Sequence, residues 1–347
     1  MPLPIKEINL EKGMYQESKN KGQSFSELLE DLDPSGNYSG DLAKLSAFQR
    51  QLALNGIETK GSNAALVQKF FDTDSSKVLF PEWINGQILV GMKMGRRTAQ
   101  IDDIVSVTNQ IEGGTMRSIE MDLTNSDYTQ KRIAQGGNFP VAKIKTKEKT
   151  IDLYKVGIEI DADYEAIRRV KVNVMAVFFQ VLGMKLSRDI VYEALLTIIN
   201  GDGNSNPAGI VNSAATGAVV FDDLLKLDFN FEDGFEPDTA IANNVGMKKV
   251  HGISEFRDPL IGSEFLTKGT STSPFGYKLR TNRRLADNQI VAFNKALCIE
   301  MLEEKGSQLV ETDKIIDKQI QKSVVSKYVG FSKIFSESAQ VLTLVQA

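Results

Sequence analysis

Residues 143–209 constrain the fold more than any other stretch, because a strand-like run feeds directly into one unusually long helical pattern. Apolar positions recur at Val170, Val174, Val177, Phe178, Val181 and Leu182, then at Leu186, Ile190, Ala194, Leu195 and Ile198. That is the period of a helix with one apolar face. No proline interrupts it between Tyr164 and Ile199, so at 1.5 Å per residue it would run about 50 Å. Asp161, Asp163 and Glu165 place carboxylates at its start, where the helix dipole favours them. Gly183 offers a bend, and Asn200-Gly201 is a left-handed stop signal. No usual catalytic constellation lies within it, which suits a mechanical element better than an active-site wall.

Composition removes several function classes. With 347 residues, 41% hydrophobic and 25% charged, the chain forms one large or two to three small domains. It carries one cysteine, Cys298, and one histidine, His251, so an internal disulfide, a Cys/His zinc site and a four-cysteine cluster are all excluded. Cys298 sits among Ala296, Leu297, Ile299, Met301 and Leu302 and reads as a small buried hydrophobe. The net charge of -4 argues against a globally basic nucleic-acid binder. No run reaches the roughly 18 apolar residues of a membrane span, and residues 1–21 lack a signal-peptide block, so a cytoplasmic protein is expected.

Motifs that imitate chemistry fail on inspection. Asp202, Asn204 and Asn206 resemble the opening of a calcium loop, but Pro207 stands where glycine is needed and Ser213 where a bidentate glutamate is needed. Gly201-x-Gly203 ends a helix where a dinucleotide motif would begin one. His251 follows Lys248 and Lys249 with no nucleophile elbow anywhere, and reads as structural. No catalytic residue, cofactor or metal site is assigned.

The remaining segments have distinct patterns. Residues 1–75 offer three short helices: one after the capping box Ser24 to Glu27, a second over 42–54 and a third over 64–71. Their core would be thin, so this part is expected to lie along something larger. Trp83, in Val78-Leu-Phe-Pro-Glu-Trp-Ile84, reads as a packed anchor. Over 116–149 the period falls to two, giving a hairpin whose polar distal part, 124–139, should project as an arm. Lys143, Lys145, Lys147 and Lys149 share one strand face. Two readings stand ahead of a nucleic-acid site, which the lack of interleaved aromatics disfavours: a solvated face that guards a strand edge, or a surface contacting another subunit. In the second, Glu120 and Asp122 pair with some of the lysines, and a partner's acidic face supplies the rest. Residues 206–310 mix short strands and helices around a Gly/Ser/Thr-rich loop at 262–276, and 315–344 is strand material; the fold class is α+β.

The chain resembles the major capsid proteins of tailed bacteriophages, with the Hong Kong 97-like fold. The blocks carrying the resemblance are Ser24-Phe-Ser-Glu-Leu-Leu-Glu with Asp33-Pro, Ala47-Phe-Gln-Arg-Gln-Leu52 with Gly56-Ile57, and Val78-Leu-Phe-Pro-Glu-Trp-Ile84. They continue with Tyr154-Lys155, Asp163-Tyr-Glu-Ala-Ile-Arg-Arg169, Asn200-Gly-Asp-Gly-Asn204 and Val329-Gly-Phe-Ser-Lys333.

The resemblance implies an N-terminal helical arm at 1–75, a lead-in to the peripheral domain at 76–115 and an extended hairpin loop at 116–150. It further implies a peripheral domain with its spine helix at 151–205, an axial domain at 206–310, and C-terminal strands at 311–347 returning to the peripheral domain. The implied function is a structural, non-enzymatic one. Copies would assemble through pentamers and hexamers into an icosahedral shell around double-stranded DNA, held without sequence-specific contacts. A portal is implied, with assembly in a bacterial cytoplasm, residence in the virion and no membrane partner; some members lose an N-terminal scaffolding segment, but no long heptad pattern precedes the capsid-like part here, so a retained N-terminus and a separate scaffold are expected. Some family members join subunits through a lysine–asparagine bond; Asn138 and the arm lysines are the residues in question, but no partner geometry or buried glutamate is identified, and the bond is not carried over. The alternatives are an encapsulin-like nanocompartment of the same fold and a carboxylate-based α+β hydrolase.

Overall fold

The structure is a computed structural model, and it describes residues 5–95, 97–121, 132–133, 135–137, 139, 143–257, 276–306, 309–315 and 317–345. The chain divides into two compact units, one of residues 1–94, 155–187 and 304–328, the other of 95–154, 188–303 and 329–347.

The first unit begins with α1 (Gly13–Lys21), α2 (Phe25–Leu32) and α3 (Ala47–Leu54). Ser24 and Ser46 each close a capping box, with Glu27 and Gln49, which fixes the starts of α2 and α3. The predicted second helix therefore begins only at Ala47; Leu42–Lys44 is a separate 3-10 turn. The third shrinks to a 3-10 turn at Val67–Phe71, because Leu66 bridges to Lys171 and the Val67 amide donates to the carbonyl of Val170 (3.0 Å).

That bridge also corrects the long pattern. The helix predicted from Tyr164 is two, α5 (Tyr164–Arg169) and α6 (Val172–Asn200). Val170 is extended (φ -91, ψ 136), and the Val172 amide donates to Ala65 O at 2.8 Å. Backbone pairing with 65–67 outcompetes continuation of the helix. Upstream, Asp161 and Asp163 belong to strand β6 (Tyr154–Asp163), leaving Glu165 as the acid of the first turn.

Between them in sequence lies a helix that periodicity did not reveal, α4 (Asp74–Met92), capped by Thr73 and carrying Pro81 in its interior. It is buried along most of its length, so no polar stripe marks it. Trp83, 2% exposed, is the anchor expected of it, tilted or edge-on against Phe70 and Phe179 and stacked on Phe80. One core joins Leu10, Phe25, Leu52, Phe70, Ile88 and Phe179, so residues 1–75 share their interior with α4 and α6. Strands β12 (Leu309–Ile315) and β6 both pair with the leading part of β13 (Ile320–Lys333).

The second unit holds β1 (Val105–Ile111), β2 (Thr115–Met116), β3 (Ile119–Met121), β4 (Ile144–Thr146) and β5 (Ile151–Asp152). It continues with β7 (Gly209–Asn212), α7 (Phe221–Phe229), β8 (Thr239–Ala242) and α8 (Asn244–Val250). Next come β9 (Lys278–Thr281), β10 (Gln289–Phe293), β11 (Ile299–Glu304) and β14 (Ala339–Thr343). A five-stranded sheet runs in the order β7-β14-β10-β8-β9. The last strand of the chain is thus interior to a sheet whose other members come from 209–293, while the trailing part of β13 pairs with β11.

Candidate inter-subunit contact site

The described part of the 116–149 hairpin holds two short ladders. Met116 pairs with Ile151, and beyond them Ile119, Glu120 and Met121 face Thr146, Lys145 and Ile144. Glu120 therefore stands directly across from Lys145, on the face that alternation assigned to the lysines. Lys143, Lys145 and Lys149 are exposed. Asp122, Asn138 and most of the distal arm lie outside the described residues.

Lys147 departs from its neighbours. It follows β4 and turns inward, 2% exposed, so it is withdrawn from the surface set that period two assigned it to. Its ammonium donates to Asp202 Oδ2 (2.6 Å), to Ser332 Oγ (3.1 Å) and to the carbonyl of Lys333. Three donors meet three acceptors, which is what allows a lysine to be buried as an ion.

The turn after α6 supplies the anion. Gly201 and Gly203 take positive φ (83° and 92°), the stop signal that Asn200-Gly201 announced. Asn206 Oδ1 accepts from the Asp202 amide (3.0 Å), and Asp202 Oδ1 accepts from Asn204. Burial by itself would raise the Asp202 carboxyl; Lys147, Asn204 and the Lys333 amide outweigh that and hold it below the usual carboxylate range. Asn204 Oδ1 in turn accepts from the backbone amide of Lys149 (2.8 Å). The calcium-like triplet is an anchor for the arm. Sequence reasoning judged it a turn and missed that second role; a carboxylate between two glycines of positive φ, facing no cation nearby in sequence, was the available signal.

The other strand of the arm is fixed as well. Ser118 O accepts from the Lys147 amide (2.9 Å), Ser118 Oγ donates to Glu300 (3.1 Å), and Asn109 donates to the same carboxylate. Beneath lie two more buried groups. Lys333 is wholly buried, with Nζ donating to Ile198 O (3.2 Å), and burial pushes its pKa down to about 8. Burial pushes the Cys298 thiol up to about 11, so it is inert at neutral pH. His251 is half-buried, and burial followed by the charge of Arg97 lowers its pKa.

These groups hold structure. Among the described residues no group of three His, Cys, Asp or Glu is placed to bind a metal, and no helix is long and apolar enough to cross a membrane. Among the described residues, the one carboxyl whose pKa burial raises, Glu82, accepts from Ser26 in the first unit. A long helix and a hairpin root held by a buried ion pair are features of architecture.

Comparison places it further. The profile of the phage capsid family matches residues 77–299, nearly two thirds of the chain. This chain belongs to the phage capsid family, and it is a major capsid protein of the Hong Kong 97-like fold, with no enzymatic role. Among solved structures, the capsid of an empty GTA particle, computed with C5 symmetry, is similar at 16% identity. That match covers 73% of this chain and 91% of the other, with TM-score 0.51. The capsid of the native GTA particle is similar at 15% identity, covering 73% and 92%, with TM-score 0.50. The capsid of cyanophage P-SCSP1u is similar at 13% identity, covering 73% and 90%, with TM-score 0.49. No curated protein matches the chain.

Proposed function

We propose that copies of this chain assemble through pentamers and hexamers into an icosahedral shell that encloses phage double-stranded DNA, formed in a bacterial cytoplasm with a separate scaffold and a portal. The observation that carries the reading is the braced arm root in a member of the capsid family: Lys147 and Asp202 hold the arm's base while Lys143, Lys145 and Lys149 stay exposed. In this reading the hairpin of 116–150 reaches over a neighbouring subunit, and Glu120, Asp122, Lys143, Lys145 and Lys149 make the contact. Lys147 positions the arm from inside its own chain. Residues 206–310 form the axial domain and 151–205 the peripheral one. An acidic chain suits a container that must not grip its DNA during filling.

Electron microscopy of the purified protein, with nuclease treatment of the particles, tests this. Closed shells containing nuclease-protected double-stranded DNA are expected. Shells filled with cargo protein and lacking protected DNA would replace it with the nanocompartment reading.

A further inference from the structure

The five-stranded sheet of the second unit ends in two surfaces of opposite character. The segment 228–238 leads into β8, and α8 leaves from the far end of the same strand. The two surfaces therefore lie at opposite ends of the sheet.

The first surface is acidic and apolar. Asp228, Glu232, Asp233, Glu236 and Asp238 occur in it with no lysine or arginine between them. Three of these have internal duties: Asp228 accepts from Tyr277, Glu236 from the Gly234 amide and Asp238 from the Lys295 amide. Glu232 and Asp233 remain exposed, beside Phe229 at 81% exposure. Asn230, the next residue, donates to Gln340 at the start of β14, which fixes where this surface sits on the sheet. The ring gives this surface a large apolar group that a docked partner would bury.

The second surface is basic and apolar. On α8, Val245 is 44% exposed and Lys248 is exposed, with Lys249 half-exposed beside it. Arg97 is exposed at the same end, its carbonyl accepting from the Thr281 amide where Thr281 pairs with Ala242. None of Glu232, Asp233, Lys248 and Lys249 has an ion-pair partner among the described residues.

We infer that the Phe229–Glu232–Asp233 surface of one copy docks on the Val245–Lys248–Lys249 surface of the next. Two different, complementary patches on one unit are what a head-to-tail ring requires, whereas a twofold dimer would need one self-complementary patch. The inference deepens the ring assembly proposed above and rests on it. Complementary charge sets the register and the aromatic ring supplies the buried centre.

Charge reversal in the full-length chain tests the contact, with particle yield read by sedimentation and electron microscopy and folding checked by circular dichroism. E232K with D233K, and separately K248E with K249E, are each expected to cut particle yield at least tenfold. The quadruple variant, with both surfaces reversed, is expected to recover it. In a second measurement, Asp233→Cys combined with Lys248→Cys should give a ladder of disulfide-linked copies in oxidised particles, with buried Cys298 contributing no background. If wild-type particles form and either reversal assembles equally well, or the quadruple variant fails to recover, or no ladder forms, the contact is wrong while the shell stands. If the wild-type protein forms no particle, ring assembly and contact fall together.

Discussion

Gly91 of α4 and Gly183 of α6 face each other at the point where the two helices cross. A Cβ on Gly183 would lie 2.2 Å from the Ile88 carbonyl oxygen and 3.1 Å from the Gly91 Cα. One on Gly91 would lie 2.1 Å from Gln180 O. Gly183 therefore permits a backbone-to-backbone contact, and α6 runs through it as one helix to Asn200. Gln180 Nε2 donates to Gln87 Oε1 (3.0 Å) at the same crossing.

Gly183→Ala and Gly91→Ala should each force the helices apart. Overpacking against backbone, which has no rotamer to relieve it, is expected to cost at least about 1–3 kcal/mol. Thermal unfolding of the variants checks this; an unchanged Tm would show that the crossing has slack.

The Lys147–Asp202 pair predicts an asymmetry between deletion and replacement. Lys147→Ala leaves the Asp202 carboxylate buried without its cation, and is expected to cost about 3–5 kcal/mol. Replacing both members, as Lys147→Met with Asp202→Asn, removes the stranded charge and should cost clearly less. Denaturant titrations of the two variants decide it. Because the native Asp202 carboxyl is held low, its contribution is present at neutral pH and is lost as pH falls through its folded value.

Lys333 acts in the opposite direction. A fall from the ordinary value of 10.5 to about 8 corresponds to about 3 kcal/mol of penalty for the buried charge, which applies in full below pH 8. Between pH 8 and 10.5 the folded chain sheds this proton before the unfolded one, so the penalty fades as pH rises. Lys333→Met should therefore gain most over wild type below pH 8, with the gain shrinking toward pH 10.5. Melting temperatures of the two proteins across that range test it.

Arg50 is wholly buried and uses its guanidinium as a fork. Nε donates to Asp33 Oδ2 (3.0 Å), Nη1 to Ser35 Oγ (2.9 Å) and to Leu45 O, and Nη2 to Asp33 O, while the plane stacks on Tyr38 at 4.4 Å. Lysine keeps the charge but cannot reach these acceptors together. Arg50→Lys should destabilise by about 2–4 kcal/mol, close to the loss of the buried charge pair itself. Limited proteolysis between α2 and α3 would detect it; wild-type resistance would refute it.

Legibility in the sequence followed locality. Ser24 with Glu27 announced α2, and Asn200-Gly201 announced the end of α6, because a cap or a left-handed turn is decided by residues within a few positions. Trp83 was read as an anchor from its size and uniqueness, yet its helix α4 was not seen, since burial on most sides erases the amphipathic stripe. Alternation put Glu120 on the hairpin face it shares with the lysines, and the register sets it across from Lys145. It also assigned Lys147 to the surface with its neighbours, and that failed.

The sequence by itself determined the α+β class, the long helix and the hairpin, since each is written in periods, caps and residue types. The tertiary structure alone decided that Val170 breaks the helix, that Gly183 serves a helix crossing, and that one lysine of four turns inward. Those outcomes depend on partners from 55 to 186 residues away along the chain for Lys147, and on backbone pairing between distant segments for Val170. Short-range pattern cannot encode such partners. Only packing brings a buried ammonium to the one carboxylate and two oxygens that make its burial tolerable.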